Sequence, residues 1–151
     1  MMEKPYKKLG KILLDYGMIS SENLKKALKI QKEKNKQIGQ VLIDFHYVTQ
    51  DQINWVLGKQ LDIPYIQIEL EQIDLDLLKI FPEYLVKNYR LIPLIEINEK
   101  LVIAMADPTD KEAIQRIKSS CKGDFDIVLA SFKNISEIIH EIEKEYPEIW
   151  Q

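Results

Sequence analysis

Apolar residues in the first sixty positions recur at helical spacing and form two stripes separated by a turn. The first stripe has the spacing i, i+3, i+4 and i+7, which places side chains on one face of an α-helix. It consists of Leu9, Ile12, Leu13 and Tyr16. Gly17 then suits a helix end that needs a left-handed residue. Ser20 or Ser21 can cap the second helix, whose stripe begins at Leu24. The pattern predicts a short helix, a turn and a longer helix.

The same pattern returns 29 positions further along the chain. Residues 8–31 align with residues 37–60 without a gap. The identical pairs are Gly10/Gly39, Leu13/Leu42, Asp15/Asp44, Leu28/Leu57 and Gln31/Gln60. In the second copy, Thr49 and Gln52 have the spacing of a capping box. His46 stands where Gly17 should recur, which predicts a strained or reshaped turn because residues other than glycine seldom adopt a positive φ. The alternative is a ligand role for His46, for which no partner histidine or cysteine is visible.

The rest of the chain mixes strand and helix patterns. The predicted strands are 65–70, Leu91–Ile97, Leu101–Ala106 and Phe125–Leu129. Helices are predicted from Pro82 to about Tyr89, from a capping box of Thr109 and Glu112 to about Cys121, and after a cap at Ser131. The order predicts an α+β fold. An all-helical subdomain with two tandem helix-turn-helix repeats (residues 1–62) precedes a small α+β subdomain with a three- to four-stranded sheet (residues 63–151).

Composition and charge exclude several classes of protein. The chain has 21 Lys and Arg against 24 Asp and Glu, a net charge of −3, which argues against a protein that coats nucleic acid or anionic lipid. The longest apolar run, 101–106, is far shorter than the roughly 20 residues of a membrane span. We therefore expect a cytoplasmic chain without direct membrane insertion.

Candidate catalytic and metal-binding residues are few. One cysteine and two histidines give neither a multi-cysteine metal site nor a metal-binding histidine pair. We interpret Cys121 as a small buried apolar residue. The chain has no phosphate-binding loop with the G-x-x-x-x-G-K-[ST] pattern and no G-x-S-x-G nucleophile motif. We expect no enzyme activity, no metal and no cofactor.

Two features are candidates for ligand binding. Gly10 and Gly39 lie at predicted helix starts, where a glycine permits close approach and free N–H groups favour an anion. Two equivalent sites would suit a ligand with two equivalent anionic halves. The alternative is that two helical hairpins pack on each other and bind nothing. Asp107, which precedes Pro108, is either a turn former or a ligand contact.

These motifs resemble the N-terminal domain of type II secretion and type IV pilus assembly ATPases, which includes the MshEN-type domains. The resemblance rests on the two 24-residue motifs at 8–31 and 37–60 and on three later stretches. The later stretches are Leu61-Asp62-Ile63-Pro64-Tyr65-Ile66, Tyr89-Arg90-Leu91-Ile92-Pro93-Leu94 and Ala104-Met105-Ala106-Asp107-Pro108-Thr109-Asp110. Together they cover nearly the whole chain.

The resemblance implies a site for cyclic-di-GMP, a ligand with two guanines and two phosphates. The residues it implies are Lys8, Leu9, Gly10, Leu24, Leu28 and Gln31 from the first motif, Ile38, Gly39, Ile53, Leu57 and Gln60 from the second, and Asp107. It also implies secretion or pilus machinery as partners, namely an ATPase core and an inner-membrane platform. Partners of this kind would place the cytoplasmic chain at the periphery of the inner membrane.

Three positions depart from the family pattern. Lys8 and Gln37 open the two motifs where the family has arginine, and His46 replaces the second glycine of its motif. Lysine lacks the planar fork of arginine, and losing one bidentate charged contact costs roughly 1.5–3 kcal/mol.

Two functions follow from the resemblance. The first is a non-enzymatic regulatory domain that binds cyclic-di-GMP, and the alternative is a docking module that links the ATPase to its membrane platform without nucleotide.

Overall fold

Residues 9–151 are described in a computed structural model of the chain. They divide into two compact units between Leu61 and Asp62. The sequence placed this division after residue 62, and the independent folding of the two parts stays a prediction. The predicted α+β fold class is confirmed by the helices and the three-stranded sheet of these residues.

The first unit contains the two helical repeats. Its helices are α1 (Leu9–Asp15), α2 (Ser21–Lys34), α3 (Ile38–Asp44) and α4 (Gln50–Gln60). The Ser20 hydroxyl accepts from the N–H of Asn23, and Thr49 forms both bonds of the predicted capping box with Gln52. Helix α1 packs against α4, and α2 packs against α3. The core between them consists of Leu9, Leu13, Ile19, Ala27, Ile38, Val41, Leu42, Val48, Ile53, Val56 and Leu57.

Both short helices end in the same hydrogen-bonded turn. The N–H of Met18 donates to the carbonyl of Leu13 at 2.9 Å, and the N–H of Tyr47 donates to Leu42 at 3.0 Å. The left-handed residue of each turn is Gly17, with φ of 71°, and His46, with φ of 59°. The predicted strained turn at His46 is confirmed, because the repeat requires a backbone conformation that histidine adopts only at a cost.

We expect His46→Gly to raise the free energy of unfolding by about 1 kcal/mol, because glycine adopts the left-handed conformation without a Cβ clash. Chemical denaturation measures the change. Gly17→His is the matched reciprocal variant, since a Cβ at Gly17 would meet nothing within 4 Å and only backbone strain is added. It should lose a similar amount. An unchanged or lower stability of His46→Gly contradicts the strain argument.

The second unit builds an α+β fold around a three-stranded sheet. Its elements are α5 (Glu83–Tyr89), β1 (Leu91–Ile97), β2 (Lys100–Met105), α6 (Lys111–Ser120), β3 (Phe125–Leu129) and α7 (Phe132–Glu145), with short 3₁₀ helices at Leu70–Gln72 and Leu75–Lys79. The strand order is β1-β2-β3, with β1 antiparallel and β3 parallel to β2. The predicted hairpin of β1 and β2 is confirmed. The isoleucines of α7 and the odd positions of β2 lie in the core.

The predicted strand at residues 65–70 is wrong. Only Tyr65 forms a β-bridge, with Leu129. Farther along, the N–H of Ile68 donates to Oδ1 of Asn134 at 2.7 Å, and Nδ2 of Asn134 donates to the Ile68 carbonyl at 3.1 Å. A buried side chain of α7 satisfies this backbone in place of a strand partner, so the alternating pattern does not become a fourth strand.

Three local predictions are also corrected. Asp110, not Thr109, caps α6 by accepting from the N–H of Ala113, because the Thr109 hydroxyl donates to Asp107. Pro82 precedes α5 as its N-cap residue and is not part of its first turn. Cys121 is half-buried, not fully buried: it lies just beyond the end of α6, packs against the edge of the core, and its thiol donates to the carbonyl of Gly123 at 3.4 Å.

Within residues 9–151, no helix is both long enough and apolar enough to span a membrane. The same residues contain no group of three or more histidine, cysteine, aspartate or glutamate side chains arranged to hold a metal ion.

Candidate ligand-binding site

The first motif presents much of its predicted site at the surface. Lys8 lies outside the described residues. Leu9 is buried in α1, and Gly10 beside it is half-buried. On α2, Leu24 and Gln31 are half-buried, and 43% of Leu28 is exposed. An exposed leucine beside half-buried neighbours offers an apolar surface on which a flat base can pack.

The second motif buries its equivalent residues. Ile38, Ile53 and Leu57 are all buried, with exposed fractions of 8% or less. Gly39 is half-buried. Gln60 is half-buried as well, and its side-chain oxygen Oε1 is buried without a hydrogen-bond partner among the described residues. A buried acceptor without a donor is unfavourable, so Gln60 is suited to a ligand that supplies an N–H group.

The two glycines differ in how closely apolar side chains pack against them. A Cβ added to Gly10 would lie 2.8 Å from Cδ1 of Leu24. A Cβ added to Gly39 would lie 3.6 Å from Cδ1 of Ile53, the residue that aligns with Leu24, and 3.5 Å from Cδ2 of Leu9. At Gly10 the space that the sequence interpretation reserved for an approaching group is therefore occupied by Leu24, whereas at Gly39 both distances are ordinary van der Waals contacts. A ligand that reaches the Gly10 backbone has to approach from a side other than that of Leu24.

The repeat is symmetric in backbone and unequal in exposure. Leu28 and Leu57 are identical, aligned residues, yet Leu28 is 43% exposed and Leu57 is 3% exposed. The aligned pair Leu24 and Ile53 shows the same difference, since Leu24 is half-buried and Ile53 is buried. The second copy contributes these residues to the core of the unit, whereas the first leaves them accessible. Sequence periodicity could not separate the two copies because their patterns are the same.

An aromatic pair that the sequence interpretation missed lies on the first unit. The rings of Tyr16 and Trp55 meet edge to face with their centroids 5.0 Å apart. The ammonium group of Lys59 lies 5.4 Å from the centre of the Trp55 ring. One sequence signal could have indicated this pair: Trp55 stands in the second copy where Lys26 stands in the first. Because Tyr16 is 53% exposed, the pair offers an accessible aromatic edge.

The end of α3 is held by a polar cluster. The carboxylate of Asp44 accepts from the side-chain amide of Gln40 at 2.7 Å and from Lys36 at 3.3 Å. The hydrogen bond from Gln40, with help from Lys36, lowers the pKa of Asp44 below its usual value. The ionised Asp44 thus joins the end of α3 to Lys36 in the short linker before that helix.

Asp107 lies in the second unit and forms a turn. Its Oδ1 accepts from the N–H of Thr109 at 2.9 Å and from the Thr109 hydroxyl at 2.6 Å. This is the geometry in which an aspartate replaces a backbone group in a tight turn. The turn interpretation is confirmed, and a ligand contact by Asp107 stays a prediction.

Comparison with known proteins places this arrangement in one family. The family model of the MshEN domain matches residues 61–147, more than half of the chain. The chain therefore belongs to the MshEN domain family, which confirms the resemblance seen in the sequence. The MshEN domain family comprises domains of the kind found in the N-terminal part of type II secretion and type IV pilus assembly ATPases.

Individual relatives agree with the family. The chain is 26% identical over 93% of its length to the type IV pilus assembly ATPase PilB of Myxococcus xanthus, and it covers 24% of that protein. It is 23% identical over 95% of its length to PilB of Thermus thermophilus, of which it covers 16%. The chain thus spans a quarter or less of these curated relatives.

Solved structures share the fold. The structure of MshE with cdg has a TM-score of 0.68 and 27% identity, covering 88% of this chain and 96% of that one. The N-terminal domain of XpsE has a TM-score of 0.65 and 15% identity, covering 93% and 96% of the two chains. The likeness to XpsE concerns the fold alone.

Proposed function

We propose that this chain is a regulatory module that binds cyclic-di-GMP through its two tandem motifs. The observation that supports the ligand is the likeness to the structure of MshE with cdg, which extends over nearly the whole of both chains. The gapless repeat in the first unit supports the same ligand, because twin motifs suit a molecule built from two equal halves.

In this proposal each motif binds one half of the ligand. Leu24 and Leu28 provide the apolar surface for a base, with Leu9 and Gly10 at the start of the motif and Lys8 supplying positive charge. Ile38, Gly39, Ile53 and Leu57 are the equivalent residues of the second motif. Gln31 and Gln60 end the two motifs with amides that both donate and accept, and the unpaired Oε1 of Gln60 accepts from a base N–H group.

The proposed function also includes the partners of the module and its location. As a member of a family found in pilus and secretion ATPases, the chain would act on an ATPase core and an inner-membrane platform. It would do so from the cytoplasm, held at the membrane by those partners, and without catalysis of its own.

Titration with cyclic-di-GMP in a calorimeter should give saturable binding with one ligand per chain. Gln31→Ala should weaken binding about fivefold to tenfold, because it removes a hydrogen bond of about 1 kcal/mol. Gln115→Ala is the matched control, since Gln115 is an exposed glutamine on α6. Absence of heat at high micromolar protein overturns the proposal, and equal affinities of both variants overturn the role of Gln31.

A second candidate function is docking to the membrane platform without nucleotide. A cluster on the second unit favours it: the Arg116 guanidinium lies 5.7 Å and 5.6 Å from the rings of Tyr84 and Tyr89. The Tyr89 hydroxyl donates to Glu112 at 2.8 Å and, together with Arg116, lowers the pKa of that carboxyl. Arginine and tyrosine are enriched at interface hot spots, and Tyr84 is 49% exposed. Capture of the platform's cytoplasmic domain by a chain that binds no nucleotide would favour this function.

A further inference from the structure

The outer edge of β3 directs some of its backbone groups away from the sheet. At one end of this stretch, the N–H of Leu101 on β2 donates to the carbonyl of Asp124 at 3.2 Å. At the other end, the N–H of Ala130 donates to the carbonyl of Met105 on β2 at 3.1 Å. The even-numbered residues therefore bond to β2. Because the backbone groups of successive residues alternate in direction along a strand, the odd-numbered residues of β3 direct theirs to the opposite side.

Leu129 alone among these odd-numbered residues pairs with a described residue on that side. Its N–H donates to the carbonyl of Pro64 at 2.7 Å, and its carbonyl accepts from the N–H of Ile66 at 2.8 Å. The N–H and carbonyl groups of Phe125 and Ile127 form no such bond to any residue within 9–151. An edge with unpaired backbone groups is a template on which an extended chain can add a strand.

The opposite edge of the sheet is protected against such pairing. Pro93 of β1 has no N–H group to donate, and the register of β1 shifts between Pro93 and Ile95. The carbonyl of Leu94 on this strand accepts from the N–H of Asp74 at 2.8 Å. Prolines and bulges are features with which natural sheets blunt exposed edges. β3 contains neither, since its sequence has no proline and its pairing with β2 is regular along its whole length.

Charge opposes a second copy of the chain as the added strand. In a symmetric antiparallel pair, the register that uses all the unpaired groups places Phe125 of each copy opposite Ile127 of the other. Asp126 then lies directly opposite Asp126 of the second copy, in a pair whose Cα atoms are about 4.5 Å apart. Like charges in this position destabilise the pairing. Lys100 on β2 lies 3.8 Å from the Asp126 carboxylate, which reduces this repulsion but, as an exposed ion pair, does not remove it.

We propose that the edge of β3 at residues 125–127 binds an extended strand of another protein, in which a lysine or arginine stands between two apolar residues. The basic residue lies beside Asp126, and Asp124, which is also exposed, adds a second carboxylate two positions away. The apolar neighbours cover the half-buried side chains of Phe125 and Ile127, which lie on the same face of the sheet as buried residues of β2. All these residues belong to the second unit, so the docking edge is separate from the proposed nucleotide site.

Amide hydrogen exchange followed by NMR on the full chain tests the open edge first. In the protein alone, the N–H groups of Phe125 and Ile127 should lack the protection of those of Asp126 and Val128, which bond to β2. Protection of Phe125 and Ile127 at low protein concentration would show that the edge is closed and would overturn the proposal. Protection that grows with protein concentration would identify a second copy as the occupant and would overturn it as well.

The second arm uses a short synthetic peptide, blocked at both ends, with a central isoleucine-lysine-isoleucine flanked by threonines. Its addition at millimolar concentration should protect the N–H groups of Phe125 and Ile127 and shift their resonances. A peptide with glutamate in place of lysine should bind about 2-fold to 30-fold more weakly, because an opposite-charge pair becomes a like-charge pair. No response to the lysine peptide overturns the docking edge, and equal binding of both peptides overturns the basic partner.

Two variants assign the binding to this edge. Asp126→Lys should reverse the order of the two peptides. Asp76→Lys is the matched control, because Asp76 is also exposed and lies near a lysine, Lys79, at 3.7 Å; it should leave the order unaltered. Ile127→Pro removes an N–H group that β2 does not use, so it should keep the fold by circular dichroism and lose peptide binding. If Asp126→Lys keeps the wild-type order, or if folded Ile127→Pro binds the lysine peptide as well as the wild type does, the peptide binds elsewhere and the proposal is overturned.

Discussion

Asn134→Leu should lower the free energy of unfolding of the second unit by about 2–6 kcal/mol. Asn134 is 4% exposed, and its side-chain amide forms hydrogen bonds with both the N–H and the carbonyl of Ile68. Leucine has a similar volume but leaves two buried backbone groups without partners, each at about 1–3 kcal/mol. Asn134→Asp should also be destabilising, because aspartate accepts from the Ile68 N–H but cannot donate to its carbonyl when ionised.

Urea denaturation followed by Trp150 emission measures this loss. The chain has two tryptophans, Trp55 in the first unit and Trp150 in the second, so a Trp55→Phe background isolates the second unit. Asn88→Ala is the matched control, since Asn88 is exposed on α5 and should change stability by no more than about 0.5 kcal/mol. If Asn134→Leu costs no more than Asn88→Ala, the bonds to Ile68 do not hold residues 64–70 in place.

Leu42→Ala should lower the stability of the first unit by about 2–5 kcal/mol. Leu42 is fully buried among the helices of both repeats, and its removal leaves a cavity in a small core. Leu14→Ala removes the same atoms from a side chain that is 36% exposed and should cost less than about 1 kcal/mol. Trp55 emission in a Trp150→Phe background reports on this unit.

The same experiment tests whether the two subdomains fold independently. With independent units, Leu42→Ala shifts the transition seen by Trp55 and leaves the transition seen by Trp150 where it was. A common shift of both transitions would mean that one cooperative unit unfolds, and the prediction of two domains would then be wrong.

Local signals in the sequence predicted much of the fold. The spacing of apolar residues located the four helices of the repeats, and Thr49 with Gln52 located the start of α4, because helix faces and caps depend on neighbours within four residues. Positive φ at His46 followed from its alignment with Gly17. The β1–β2 hairpin followed from two apolar runs around a short turn.

Other predictions were wrong because nearby groups compete for the same hydrogen-bonding partner. Thr109 and Glu112 have capping-box spacing, but the Asp107 carboxylate takes the Thr109 hydroxyl and Asp110 becomes the cap. For the candidate site, the alignment could nominate equivalent residues in both motifs. It could not show that Gly10 and Gly39 face apolar side chains of the following helices.

The sequence alone determined the duplication, the helix faces, the hairpin and the membership of the family, since these are properties of short or aligned stretches of chain. Tertiary structure decided which copy of the motif stays accessible: Leu28 and Leu57 have the same local pattern and differ only in what packs on them. It also decided that residues 65–70 form no strand, because their partner, Asn134, lies 66 residues beyond Ile68. Burial and long-range hydrogen bonding depend on contacts that a local pattern does not contain.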